Sequence, residues 1–242
     1  MYIYGAPVLL VLGAVGNILS FIVLQSHFFR SKPCGFLLSA LAVVDTGALY
    51  TSLLSEWLWF QFNVRIINIS VIGCKVLFFC AYVCSMSSSW TLALVTVDRV
   101  LFVVYPLQAK IFWTKPRAIL IWSGMVMALM CINIPVLVKN NLTSYHHTNQ
   151  TLCSSDYKIQ KWIGLLFFAI LPLCIVVPCN AIIIHKLYVS HKQWQDNPAG
   201  AGSGHQQATS TMVMLVTVSL VFVITIVPHV VIDLRGFKIF SL

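Results

Sequence analysis

The stretch CKVLFFCAYVCSMSSSWTLALVTVDRVLFVVYPLQAK, Cys74 to Lys110, decides how this chain folds. From Val76 to Val97 it carries no charge, and then it meets Asp98-Arg99. A helix of about 20 apolar residues crosses the roughly 30 Å of a bilayer's hydrocarbon. Lipid admits only helices and closed barrels as spanning structures, because it offers no water to unpaired backbone groups. The run is continuous rather than alternating, so it predicts a helix and not a barrel strand.

Five similar runs flank it, at Met1–Leu24, Phe36–Leu54, Ala118–Val138, Trp162–Ile184 and Thr211–Ile232. With their flanks they predict helices over 1–26, 34–56, 71–104, 118–138, 160–187 and 209–233, in one all-α membrane domain of 242 residues. Composition agrees. Hydrophobic residues make up 59% and charged residues 9%, against about 25% charged in average globular proteins. Mean hydropathy is +0.90. Such a chain has too little polar surface for a soluble fold, which argues against a disordered chain, a nucleic-acid-binding domain or a soluble enzyme. The net charge of +9 comes from 15 basic residues scattered through loops, so no nucleic-acid partner is expected.

The loops at 25–35, 105–117 and 186–210 lie on one side, and those at 55–70 and 139–161 with both chain ends lie on the other. Eight Lys or Arg fall on the first side and seven on the second, so the positive-inside rule does not orient the chain. Sequons do. Asn68-Ile-Ser70, Asn141-Leu-Thr143 and Asn149-Gln-Thr151 are N-glycosylation patterns, all on the second side. Cys74 and Cys153 share that side, where a disulfide would survive oxidising conditions. That side is expected outside, in a multi-pass plasma-membrane protein with its N-terminus extracellular. The first helix can serve as its own insertion signal. Residues 198–204, Pro-Ala-Gly-Ala-Gly-Ser-Gly, read as a flexible stretch.

Ionisable and amide groups inside a membrane are costly and mark function. Asn17 follows Gly16 in the first helix, Asp45 sits mid-helix in the second, and Asp98-Arg99 ends the third. Taken singly, Asn17 and Asp45 also fit a role as hydrogen-bonding glue between helices. The order is more specific: Gly16-Asn17, Leu41-Ala42-x-x-Asp45, Cys74, Asp98-Arg99-Val100 some 25 residues later, Pro106-Leu107, Trp122, Cys153, Pro172 and Pro228. In order and spacing the chain resembles the rhodopsin-like (class A) G-protein-coupled receptors over essentially its whole length. Trp90, the segment Val104 to Lys110, and Asn180 eight residues after Pro172 are similar to invertebrate neuropeptide receptors, FMRFamide-receptor-like and orphan members included.

The resemblance implies roles. Arg99 would couple to a heterotrimeric G protein, paired at rest with Asp98. The bland alternative is an Arg that snorkels to the interface. Asp45 would hold a sodium ion or a proton, with Ser88 or Asn17 as partners, and no other cofactor is expected. Cys74 and Cys153 would form a disulfide. The remaining six cysteines read as core packing without metal partners. Pro172, Phe222 and Pro228 would form the relay to the cytosolic end. Most members carry Cys-Trp-x-Pro where this chain has Thr225-Ile226-Val227-Pro228, so Phe222 or Ile226 would replace the usual Trp. The region Gln206 to Thr209 lacks the acid that locks the coupling Arg in many members. Phe79 to Val83 lacks the acid of amine receptors, which disfavours an amine. Tyr82, Ser85, His229 and Asp233 are pocket candidates, although His229 reads more readily as a packed or interfacial histidine. The basic outer loops would attract a peptide-like ligand with acidic features.

Seven helices are usual in the family and six are visible here, with no Asn-Pro-x-x-Tyr motif. The expectation is a receptor truncated after its sixth helix. The leading function is a receptor that binds an extracellular neuropeptide-like ligand and activates a G protein. The alternative is a non-signalling variant that acts as a decoy or dimer partner of a complete receptor. A six-helix channel or transporter ranks behind both, since no helix repeats Arg every third residue and no internal repeat is visible. Enzymatic motifs such as His-Glu-x-x-His and Gly-x-Gly-x-x-Gly are missing.

Overall fold

A computed structural model describes residues 2–145, 150–154 and 159–196, with isolated helical positions at 217, 220, 221 and 224. Five helices among these residues are long and apolar enough to cross a membrane. Helix α1 covers Tyr2–Leu24. It is apolar all round, with mean hydropathy 2.4 in its best window, and Leu9, Leu12, Val15, Ile18 and Ile22 stand exposed. In water such a face would be an aggregation liability, whereas lipid solvates it. Helix α2 covers Pro33–Phe62, α3 Val71–Val104 and α4 Lys115–Lys139. Helix α5 begins at Ile159–Leu165, passes a π-turn at Leu166–Ile170 and continues as Leu171–Asp196. The expected sixth helix over 209–233 lies outside the described residues except at the four isolated positions.

The bounds of α3 coincide with those expected from the sequence. Helix α1 ends at Leu24, two residues short of the expected 26, whereas α2, α4 and α5 run longer. Helix α2 was expected to end at 56, but Trp57 to Phe62 continue it and Asn63 closes it in the left-handed conformation at φ 55°. The single acid Glu56 does not break it, since Trp57 packs edge-on against Phe62 at 5.6 Å between ring centroids. Helix α4 starts three residues early because Pro116 fits the first turn, where its missing N–H costs nothing. Helix α5 was expected to end at 187, but it continues to Asp196, the last described residue of that stretch. The loops also hold structure. One-turn His27–Arg30 and the seven-residue helix Pro106–Phe112 lie on the side expected to be cytosolic. On the other side β1 (Asn141–Tyr145) pairs antiparallel with β2 (Gln150–Ser154), Leu142 opposite Cys153. The all-α expectation thus gains a two-stranded hairpin.

The chain divides into two compact units, Met1–Thr91 with Lys115–Phe168, and Leu92–Thr114 with Ala169–Leu242. In the first, small residues let helices approach. A Cβ on Gly13 would lie 2.7 Å from Leu49, and one on Gly47 would lie 2.7 Å from the Cys84 sulfur. Helix α4 is tied to its neighbours by Trp122, whose indole donates to Thr91 Oγ1 at 3.0 Å and whose ring meets Phe36 edge-on at 5.7 Å. Asn133 is fully buried and donates to the Met86 sulfur at 3.2 Å and to the Leu129 carbonyl at 2.8 Å. Gln160 donates to Asn133 Oδ1 at 3.0 Å. In the second unit Val95, Val176 and Ile183 are buried.

Candidate functional site

Three groupings of polar residues interrupt the apolar helices, two in the first unit and one in the second. On the side expected to be extracellular, Cys74, at the start of α3, is disulfide-bonded to Cys153 of β2, with Cα atoms 5.7 Å apart. Ser70 caps α3 by accepting the Gly73 N–H at 2.9 Å. Asn68 Oδ1 accepts the Cys153 N–H at 2.9 Å, so the hairpin is joined to α3 by the disulfide and to the turn Ile66–Asn68 before it by a hydrogen bond. The Arg65 guanidinium lies 3.9 Å from the centre of the Trp59 ring, a cation–π contact. Of the three sequons, Asn141 lies exposed on β1, Asn68 is half-buried, and Asn149 lies outside the described residues.

The second grouping lies within the first unit. Ser88 Oγ of α3 donates to Asp45 Oδ1 of α2. Asn17 Nδ2 is buried without a hydrogen-bond partner among the described residues. A groove of about 400 Å³ runs past Asn17, Asp45, Ser52 and Ser85, with Gly13 and Leu49 among its apolar walls. The π-turn Leu49–Leu53 widens α2 here and contributes Leu49, Ser52 and Leu53 to the wall; π-turns often mark functional positions in helices. Ser85, expected in a ligand pocket with Tyr82, thus lines the same groove as Asp45. The Tyr82 ring instead approaches α5, 3.5 Å from where a Cβ on Gly164 would stand. His229, Asp233, Phe222 and Pro228 lie outside the described residues. Pro172 is fully buried.

The third grouping belongs to the second unit. Asp98 is fully buried near the end of α3. Arg99 Nε stands 3.5 Å from Asp98 Oδ2, a distance for an ion pair and not for a hydrogen bond. A tighter partner escaped sequence reading. Trp113, just past the loop helix Pro106–Phe112, donates its indole N–H to Asp98 Oδ1 at 2.6 Å. No sequence pattern announces a bond between residues 15 apart, one near the end of a long helix and one just past a loop helix. On that loop helix Ala109 is buried, while Leu107 is 78% and Ile111 70% exposed. On α5, Asn180 is buried with neither amide atom hydrogen-bonded among the described residues.

Comparison with known proteins gives these groupings a context. The family model described as 7 transmembrane receptor (rhodopsin family) matches residues 16–236. Growth hormone secretagogue receptor type 1 of Sus scrofa is 23% identical over 231 residues, 91% of this chain and 62% of the relative. Galanin receptor type 2 of Mus musculus is 27% identical over 231 residues, 90% of this chain and 58% of the relative. G-protein coupled receptor 65 of Homo sapiens is 27% identical over 220 residues, 85% of this chain and 61% of the relative. The chain therefore spans about 60% of the length of these curated relatives. A match over nearly the whole chain, on a bundle of apolar helices with Asp98-Arg99 at the end of α3, shows that the chain belongs to the rhodopsin family of seven-transmembrane receptors, a family of non-enzymatic G-protein-coupled receptors.

Proposed function

We propose that the chain is a plasma-membrane receptor for an extracellular peptide-like ligand that activates a heterotrimeric G protein through Arg99. The observation that carries this is the arrangement at the end of α3. A buried carboxylate holds an Arg loosely, and the neighbouring loop helix offers exposed Leu107 and Ile111. Apolar side chains left exposed beside a charged group that can change partners suit the docking of a protein. The ligand class is supported by similarity to receptors whose names specify galanin and a hormone secretagogue, and by the basic outer residues Arg65, Lys158 and Lys161.

Asp45 is proposed as the site of a sodium ion. The groove offers a carboxylate and the hydroxyls of Ser52 and Ser85, and hard cations favour such oxygen donors. An ion there would supply the positive charge that a carboxylate in lipid requires.

The test is nucleotide exchange on purified G-protein heterotrimers by the chain in lipid nanodiscs, with a neuropeptide library applied from the outer side. Arg99→Ala is expected to abolish exchange, and Leu107→Ala to reduce it about tenfold, as loss of a buried anchor at a protein interface does. Exchange that survives Arg99→Ala unchanged would refute the coupling role.

A further inference from the structure

We infer that Trp113 is a positioning residue that loosens the hold of Asp98 on Arg99 by taking the carboxylate for itself. The inference rests on the coupling role proposed for Arg99.

Asp98 is fully buried, so its charge needs partners with hydrogens to give. The indole N–H of Trp113 reaches Oδ1 at 2.6 Å, a close hydrogen bond to the carboxylate. The adjacent guanidinium stands 3.5 Å from Oδ2 through Nε alone. An Arg fully committed to a carboxylate would grip it with two parallel N–H bonds, each near 2.8 Å. This Arg has no such grip, and its side chain remains 19% exposed. The carboxylate is therefore held more tightly by a neutral loop residue than by its cationic neighbour.

That difference matters when Arg99 moves to a new partner. Pulling a cation away from a buried carboxylate removes part of what offsets its charge, which is unfavourable. A donor that stays behind on Oδ1 offsets part of that cost. Trp113 can stay because it sits at the end of the loop helix Pro106–Phe112, whose Ala109 is buried. Indole is suited to the task, since it donates one hydrogen and accepts none, so it cannot compete for Arg99.

The experiment uses the full chain in nanodiscs and the variants Trp113→Phe, Asp98→Asn and their combination. The phenyl ring keeps most of the packing and removes the donor. Two NMR signals read the geometry directly. The Trp113 indole N–H, assigned by its disappearance in Trp113→Phe, is expected to shift upfield in Asp98→Asn. The Arg99 Nε–H is expected to exchange with solvent several-fold more slowly in Trp113→Phe, because the carboxylate turns to it. Agonist-independent nucleotide exchange on a purified G protein is then expected to fall about tenfold in Trp113→Phe, the loss of one charge-assisted bond. In the Asp98→Asn background the same substitution should change nothing. An unshifted indole signal, an unchanged or faster Arg99 exchange, or a rise of nucleotide exchange in Trp113→Phe would each overturn the inference. If both NMR signals behave as expected while no variant, Asp98→Asn included, activates any G protein, the placement of Arg99 stands and the coupling reading fails.

Discussion

At the scale of single residues, Trp90 ties α3 to the irregular turn of α5. Pro172 has no N–H for the Phe168 carbonyl four residues before it, and a π-turn at Leu166–Ile170 lies just ahead of it. One carbonyl of that turn, Phe167, accepts the Trp90 indole N–H at 2.8 Å. In lipid no water replaces such a donor, so Trp90→Phe removes a hydrogen bond that solvent cannot restore. The expected loss is about 1–3 kcal/mol. Thermal melting in detergent checks it, with the midpoint expected to drop by several degrees; an unchanged midpoint would mean that the carbonyl finds another donor. Trp90 was visible in the sequence only as a landmark of the resemblance. Its bond was not, because the π-turn that turns the Phe167 carbonyl toward it has no sequence signal of its own. Asp45 and Ser88 were more legible, since a carboxylate in an apolar run demands a polar partner at similar depth.

Whole elements were read from the sequence to different degrees, for physical reasons. Helix α3 is legible at both ends because Ser70 caps its start and Tyr105-Pro106 ends it. The extension of α2 was hidden by Glu56 and Gln61, polar residues that a span can carry once it has left the hydrocarbon. The hairpin was hidden by composition. Leu142-Thr143-Ser144-Tyr145 and Thr151-Leu152-Cys153 are short strands with polar intervals, a weaker signal than an apolar run. A further close contact was silent for a different reason. A Cβ on Gly35 would lie 2.1 Å from the Phe29 carbonyl oxygen, where the one-turn helix His27–Arg30 folds over the start of α2. Backbone cannot yield as a side-chain tip can. Gly35→Ala is expected to displace that turn and destabilise the protein by roughly 1–3 kcal/mol. The Arg30 carbonyl accepts Lys115 Nζ at 2.8 Å, so the displacement should also break this link to α4. Faster hydrogen exchange over 27–36 in Gly35→Ala, relative to the parent, would register both effects, and identical exchange would refute the clash.

For the molecule as a whole, the proposed orientation rests on the disulfide and the sequons and not on charge. Eight basic residues on one side against seven on the other give the membrane no preference to act on. What differs is chemistry that only one compartment supports. The Cys74–Cys153 disulfide joins α3 to β2 on the side that carries the sequons, and such bonds persist in oxidising compartments. The geometry ranks the sequons. Asn141 is exposed at the first position of β1, whereas the Asn68 side chain is half-buried and bonded to the Cys153 N–H. A transferase must strip an asparagine side chain of its partners before it can modify the amide. Asn141 is therefore expected to take a glycan more completely than Asn68. In microsomal translation, Asn141→Gln should remove the larger part of the glycosidase-sensitive mobility shift, and Asn68→Gln the smaller. A sequon engineered into the Pro106–Phe112 loop should stay unmodified. Modification of that loop, with the native sequons silent, would invert the topology and place Asp98-Arg99 on the extracellular side, where no G protein could reach it.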